Sequence, residues 1–278
     1  MPDEREFDKK NKNSSLKLFY DKVYKKGETK HFTSFVTKNI PTDEIKEILK
    51  EVNWKNKLVL DVGCGTGLFA FKVSKLGPKQ ILGIDFSKEA IEIATKTHKN
   101  NNLQYQVLDV KEIKSKYDII VSLGTLEHMD NPLKTLKILK KHLSKNGKII
   151  VTSPNWTNPR GYILMTLLHL FNAPITLVDL HYQTPIDFQN YAKKLDMRLK
   201  WRTFDRDWGH GNTLIADFEK RLPNIIKDTK LKVTQTQIQS LIQWTKTNIV
   251  SFNNDLPHSG AIGLYVFSNK NKNKNKNN

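Results

Sequence analysis

The sequence predicts an α/β fold: a mostly parallel sheet with helices on both faces. Three observations predict it. Short apolar runs alternate with helical stretches from residue 57 to residue 153, the pattern of βαβ units. The first run, Leu58-Val59-Leu60-Asp61-Val62, breaks into Gly63-Cys64-Gly65-Thr66-Gly67 and resumes as Leu68-Phe69-Ala70-Phe71-Lys72-Val73. Strand, glycine turn and helix is the order that lets a backbone approach a nucleotide. Finally, Gly63 to Gly67, Asp85, Asp109 and Leu123 all fall at the ends of successive predicted strands, where such sheets bind ligands.

Residues 1–15 are polar, and 16–40 carry Phe19, Tyr20, Tyr24, Phe32 and Phe35, with helix-like spacing over Leu16–Tyr24. Pro41 to Lys50 predicts a helix, with acids in its first turn and a stripe of Ile45, Ile48 and Leu49. In the glycine turn the spacing is G-x-G-x-G, not the dinucleotide G-x-G-x-x-G, and Asp61 precedes it. A carboxylate there suits a ligand amine better than a pyrophosphate. Cys64 reads as a small residue in the turn.

Gln80–Ser87 predicts the second strand and ends at Asp85, about 20 residues after the glycines, where a ribose-binding carboxylate belongs. Phe86 offers a ring for an adenine face. Ser87 caps a helix to about Lys99. Leu103–Val110 alternates as a strand and ends in Asp109 and Val110. Tyr117–Gly124 is the fourth strand, and Pro132 opens a helix to about His142. An Asn146-Gly147 turn enters the fifth strand, through Asn155.

Gly161–Phe171 is apolar nearly all round but too short to span a bilayer. It reads as a buried helix, a pocket wall or a membrane-surface contact. Thr184-Pro185 starts a helix to about Leu195, Met197–Phe204 a sixth strand and Ala261–Phe267 the last. Helical stripes occupy 209–258.

Composition bounds the partners. The 278 residues carry 46 Lys and Arg against 28 Asp and Glu, a net charge of +18. Such a balance fits nucleic acid, an anionic membrane or an acidic substrate, but the lysines are spread along the chain, as a compositional bias of the source genome would spread them. The single cysteine excludes an internal disulfide and fits a reducing cytosol. The charged first residues do not read as a secretory signal.

The phrase Val59 to Gly67 resembles the first motif of class I S-adenosylmethionine-dependent methyltransferases. Leu126-Glu127-His128-Met129-Asp130-Asn131-Pro132 is similar to the same family, especially its small-molecule O-methyltransferases of the ubiquinone-biosynthesis kind. His181 ahead of Thr184-Pro185 resembles a further stretch of it. The resemblance implies a Rossmann-like seven-stranded sheet whose last strand runs antiparallel between the fifth and sixth. It implies S-adenosylmethionine bound by Asp61, Gly63, Cys64, Gly65, Thr66, Gly67, Asp85, Phe86, Asp109, Val110 and Leu123, with Asp109 on the adenine amine (or, read locally, capping a turn). His128 and His181 are the candidate catalytic bases, each with a packing or capping alternative. Gly124 stands where the metal-assisted relatives have an acid, so no metal is expected. Leu123-Gly124-Thr125-Leu126 lacks the Asn/Asp-Pro-Pro-aromatic pattern of enzymes that methylate exocyclic base amines.

The expected organisation is an arm and lid-like segment over 1–40, a methyltransferase domain over 41–268 with insertions at 156–183 and 209–258, and a disordered Lys/Asn tail from 269. The expected function is methyl transfer to a hydroxyl of a partly hydrophobic small molecule in the cytoplasm, with nucleic acid the less favoured partner. The alternatives are an RNA (tRNA-modifying) methyltransferase and a non-catalytic binding module.

Overall fold

The computed structural model describes residues 43–176, 179–229, 231–251 and 256–270. The expected arm and lid over 1–40 lie outside them, as does the tail beyond Lys270. Helix α1 (Asp43–Leu49) precedes β1 (Leu58–Val62), α2 (Leu68–Ser74), β2 (Gln80–Asp85), α3 (Lys88–Thr97), β3 (Leu103–Val107) and β4 (Tyr117–Leu123). Then come α4 (Pro132–Lys141), β5 (Leu143–Pro154), α5 (Pro159–Phe171), α6 (Pro185–Lys194) and β6 (Met197–Phe204). Helices α7 (Arg206–His210), α8 (Asn212–Thr229) and α9 (Gln235–Thr245) lead to β7 (Ile262–Asn269).

The sheet order is β3-β2-β1-β4-β5-β7-β6. Only β7 runs against its neighbours, pairing Ile150 with Val266 on one side and Lys200 with Val266 on the other. The strands are apolar because both faces are covered. Alternate residues part to opposite faces: Leu60, Val62 and Ile120 join one core, Val59, Ile119 and Val121 the other. In the first, Phe188 of α6 stacks on Tyr265 of β7 at 3.6 Å and 14°.

Two expectations change in detail. Asn146 and Gly147 lie within β5, in an irregularity where the pairing steps from Tyr117–Leu143 to Ile119–Lys148. Asn269 and Lys270 depart from the expected tail: Asn269 belongs to β7, its amide donating to the carbonyl of Lys145 (3.1 Å), and Lys270 pairs with Asp196 (2.6 Å).

A third core lies off the sheet. Leu164 of α5, Leu214, Phe218 and Leu222 of α8, and Ile238 and Ile242 of α9 form it together with Trp156 and Ile175. At its edge Asp217 is fully buried between two arginines, 3.1 Å from Arg160 Nε and 2.8 Å from Arg221 Nη2. Burial pushes the Asp217 carboxyl up, but the two guanidiniums outweigh it and hold it below the usual range. Helix α5 buries Leu164 but leaves Tyr162, Leu170 and Phe171 exposed. No helix among the described residues is long and apolar enough to cross a membrane.

Candidate active site

The glycine loop sits where β1 leaves the sheet. The Gly63 and Cys64 N–H groups donate to the Ile84 carbonyl (2.8 and 3.0 Å), tying the loop to β2. Gly67 has φ +82°, and a Cβ there would stand 2.5 Å from Tyr105 Oη, so both the backbone angle and the close approach require glycine. Two side chains hold the loop from behind. His98 Nδ1 donates to the Thr66 carbonyl (2.8 Å) and Tyr105 Oη to the Gly67 carbonyl (2.9 Å). Cys64 packs toward Gly83, and burial, then Asp61, raises its thiol pKa.

Asp85 closes the loop from the front. Its Oδ2 accepts from Gly65 N–H and its Oδ1 from Ser87 N–H, both at 2.9 Å. This one carboxylate thus ties the glycine loop to the end of β2. Asp61 lies deeper, 2% exposed, and its Oδ2 has no partner among the described residues. Burial, and then Asp85, pushes its pKa up to about 7. A buried carboxylate left unsatisfied in this way fits a cationic ligand group.

In front of the loop opens a cleft of about 680 Å³. Val62, Gly63, Asp85 and Phe86 form one wall and Val107 to Glu112 the far end. Leu123, Gly124, Thr125, His128 and Met129 form the other wall with the first turns of α4. Of the residues singled out from the sequence, Gly63, Asp85, Phe86, Asp109, Val110, Leu123 and His128 line this cleft. Asp61, Cys64, Gly65, Thr66 and Gly67 form the loop and its support. Asp109 makes a capping box: its Oδ1 accepts from Lys111 N–H (2.9 Å), and its own N–H donates to Glu112 Oε2 (3.1 Å). The cap matches the local reading, and Asp109 also lies on the cleft wall.

Beyond β4 the two histidines part. His128 lines the cleft, with Nδ1 3.5 Å from Asp179 Oδ1. His181 does not line it; its Nε2 donates to the Met129 carbonyl (2.9 Å), and its N–H donates to the Glu127 carbonyl (3.2 Å). In this geometry His181 staples the segment after α5 to the turn after β4.

Sequence reading missed two acids here. Glu127 is 2% exposed, its Oε2 without a partner among the described residues; burial, then Asp179, raises its pKa well above the usual range. Asp179 has no motif around it and is brought in by the stapled segment. Among the described residues no group of three or more His, Cys, Asp or Glu is placed to hold a metal.

A family profile described as a methyltransferase domain matches residues 53–205. Among curated proteins, the chain is 37% identical over 105 residues to a tRNA U34 carboxymethyltransferase from Campylobacter fetus, covering 36% of this chain and 37% of that one. A protein of the same description from Campylobacter jejuni is 33% identical over 127 residues, covering 42% and 40%. The chain thus spans about two fifths of the length of these relatives. Among solved structures, a Thermotoga maritima methyltransferase described as a possible histamine N-methyltransferase superposes with TM-score 0.57 at 14% identity, covering 91% and 99%. A Haloferax volcanii methyltransferase solved with the Trm112 activator gives 0.56 at 12%, covering 90% and 96%. These two likenesses concern the fold. With the profile covering more than half of the chain, and the glycine loop and cleft at the carboxyl edge of a seven-stranded sheet, the chain belongs to the methyltransferase-domain family.

Proposed function

We propose that the chain transfers a methyl group from S-adenosylmethionine to RNA, with tRNA the favoured acceptor. The observation that carries tRNA as the acceptor is the similarity to proteins described as tRNA U34 carboxymethyltransferases. The net charge of +18 supports it, since a phosphate backbone is attracted to such a chain. Lys111 and Lys134 on the cleft wall put two of these charges beside the site.

The cofactor supplies an activated methyl group on a sulfonium. In this reading Asp61 and the 63–67 loop receive its amino-acid end, and Asp85 accepts from the ribose hydroxyls. Phe86, Asp109 and Val110 hold the adenine, and Leu123 closes the wall beside it. His128 accepts the acceptor's proton, while the cleft aligns the reacting atoms and excludes water.

A small-molecule hydroxyl is the second reading, favoured by the apolar α5 with its exposed Tyr162, Leu170 and Phe171.

Transfer of labelled methyl from S-adenosylmethionine to transcribed, unmodified tRNA tests the first reading. Incorporation into tRNA is expected. Binding to that tRNA should weaken with salt, with a logarithmic slope of about −0.7 per phosphate contacted if single strands are bound. No incorporation, or salt-independent binding, would move the small-molecule reading to the front.

A further inference from the structure

We propose that Asp179 is a positioning residue for His128: its carboxylate accepts from the ring's Nδ1–H, so that Nε2 is the basic nitrogen. The inference rests on His128 acting as the base.

The carboxylate is held where this requires it. Asp179 Oδ1 lies 3.5 Å from His128 Nδ1, and both side chains are only 12% exposed. Such contacts are often long before an acceptor is seated. The backbone beside Asp179 is fastened on both sides of His128. Leu180 and His181 N–H donate to the Glu127 carbonyl (3.0 and 3.2 Å), and His181 Nε2 donates to the Met129 carbonyl (2.9 Å). The Thr176 side chain stands beside the Asp179 carboxyl and acts to lower its pKa. Thr176 Oγ1 in turn is 3.3 Å from Tyr182 Oη, and Tyr182 packs edge-on against Trp156 (5.4 Å, 77°). Asp179 is therefore tied into the third core and does not swing freely.

Three basic side chains face the carboxylate. Burial is the larger influence and raises the Asp179 carboxyl, while His128, Arg160 and Arg221 act against it. Glu127 stands on the same turn as His128, and Asp130 and Lys134 face the cleft beside it. When ionised the carboxylate only accepts, so the ring nitrogen next to it then carries the hydrogen. In the reaction the acceptor's proton goes to Nε2 and its electron pair forms the bond to the methyl carbon. The sulfur keeps the electrons of the broken bond. The imidazolium that results is stabilised by Asp179.

Nitrogen-15 NMR of the full chain, labelled at histidine and recorded where the ring is neutral, reads the tautomer directly. His128 is assigned by the peak lost in His128→Gln. The expected result is a protonated Nδ1 in the wild type and a shift toward the other tautomer in Asp179→Asn. With transcribed tRNA, Asp179→Asn should lower kcat by about 10²- to 10⁴-fold. Both KM and S-adenosylhomocysteine affinity should stay within about twofold, the latter showing that the fold is intact, and Asp179→Glu should restore part of the rate. A wild-type ring protonated at Nε2 would overturn the proposal without any variant, and so would an Asp179→Asn protein with unchanged tautomer and rate. A fully active His128→Gln would refute the base assignment itself, whereas loss of turnover in His128→Gln beside an unaltered Asp179→Asn would refute only the role of Asp179.

Discussion

The glycine-loop edge of the sheet and the helical core beside it are secured by different means. Around β1, β2 and β4 the working parts are backbone: glycine N–H groups, the Ile84 carbonyl, and one carboxylate, Asp85, that spans two amides. Around the end of β5 the working parts are buried charges separated widely in sequence, with Arg160 and Asp217 57 residues apart. A backbone device tolerates side-chain change but fails when its one anchoring acid is lost. A buried charge network fails when any member is left without its partner.

The largest expected effect tests the charged half. Asp217→Ala leaves Arg160 and Arg221 facing each other in a buried site, which should cost roughly 3–5 kcal/mol. Denaturant unfolding measures this, and a loss under about 1 kcal/mol would show that the third core does not depend on the network. Next comes the backbone half. Asp85→Ala strips a partner from the Gly65 and Ser87 N–H groups, a cost of roughly 1–3 kcal/mol. Calorimetric titration should show S-adenosylhomocysteine binding weakened by a factor of about 5–150 with the fold retained; unchanged affinity would remove Asp85 from the cofactor site.

Asp61 sharpens the comparison through pH. Burial, and then Asp85, pushes its pKa up to about 7 from the ordinary carboxylate value near 3.8. Between these values the unfolded chain ionises while the folded one keeps its proton. The contribution of Asp61 to stability is therefore fully present below about pH 4 and declines as pH rises toward 7. Asp61→Asn should flatten that decline in thermal unfolding curves. A ligand ammonium beside Asp61 favours the ionised form, so S-adenosylhomocysteine should bind more tightly at pH 8 than at pH 5.5 and release a proton on binding. Calorimetry in two buffers of different ionisation enthalpy would detect the proton, and its absence would separate Asp61 from the ligand amine.

The smallest effect is expected at the surface. Arg202, a third exposed, pairs with Glu47 and Glu51 at 2.9 and 2.7 Å. Arg202→Ala should cost under about 1 kcal/mol; a loss comparable with that of Asp217→Ala would erase the distinction between buried and exposed charge.

The same division decides what was legible in the sequence. The first half announces itself locally: the glycine spacing, the acid ending β2 and the Thr184-Pro185 cap are short patterns with local causes. The antiparallel β7 was readable only through resemblance, because its own residues form an ordinary apolar run. His128 could be singled out, but Asp179 could not, since it reaches the ring through hydrogen bonds between backbones some 50 residues apart. His181 and His128 look alike as residue types; they differ in which carbonyl lies within reach, a fact of tertiary structure. Nor does an apolar α5 reveal that it packs on α8 and α9, helices more than 40 residues further on.

Strand β7 has a consequence for how the chain is made. It joins β5 to β6, with seven paired positions on one side and eight on the other, and it is synthesised after both. A chain still on the ribosome and ending short of Ile262 carries β5 and β6 with open edges facing each other. Open edges are templates for pairing with other chains, and domains in that condition are prone to association. Until the last strand emerges, the nascent protein needs either a chaperone or a short exposure time.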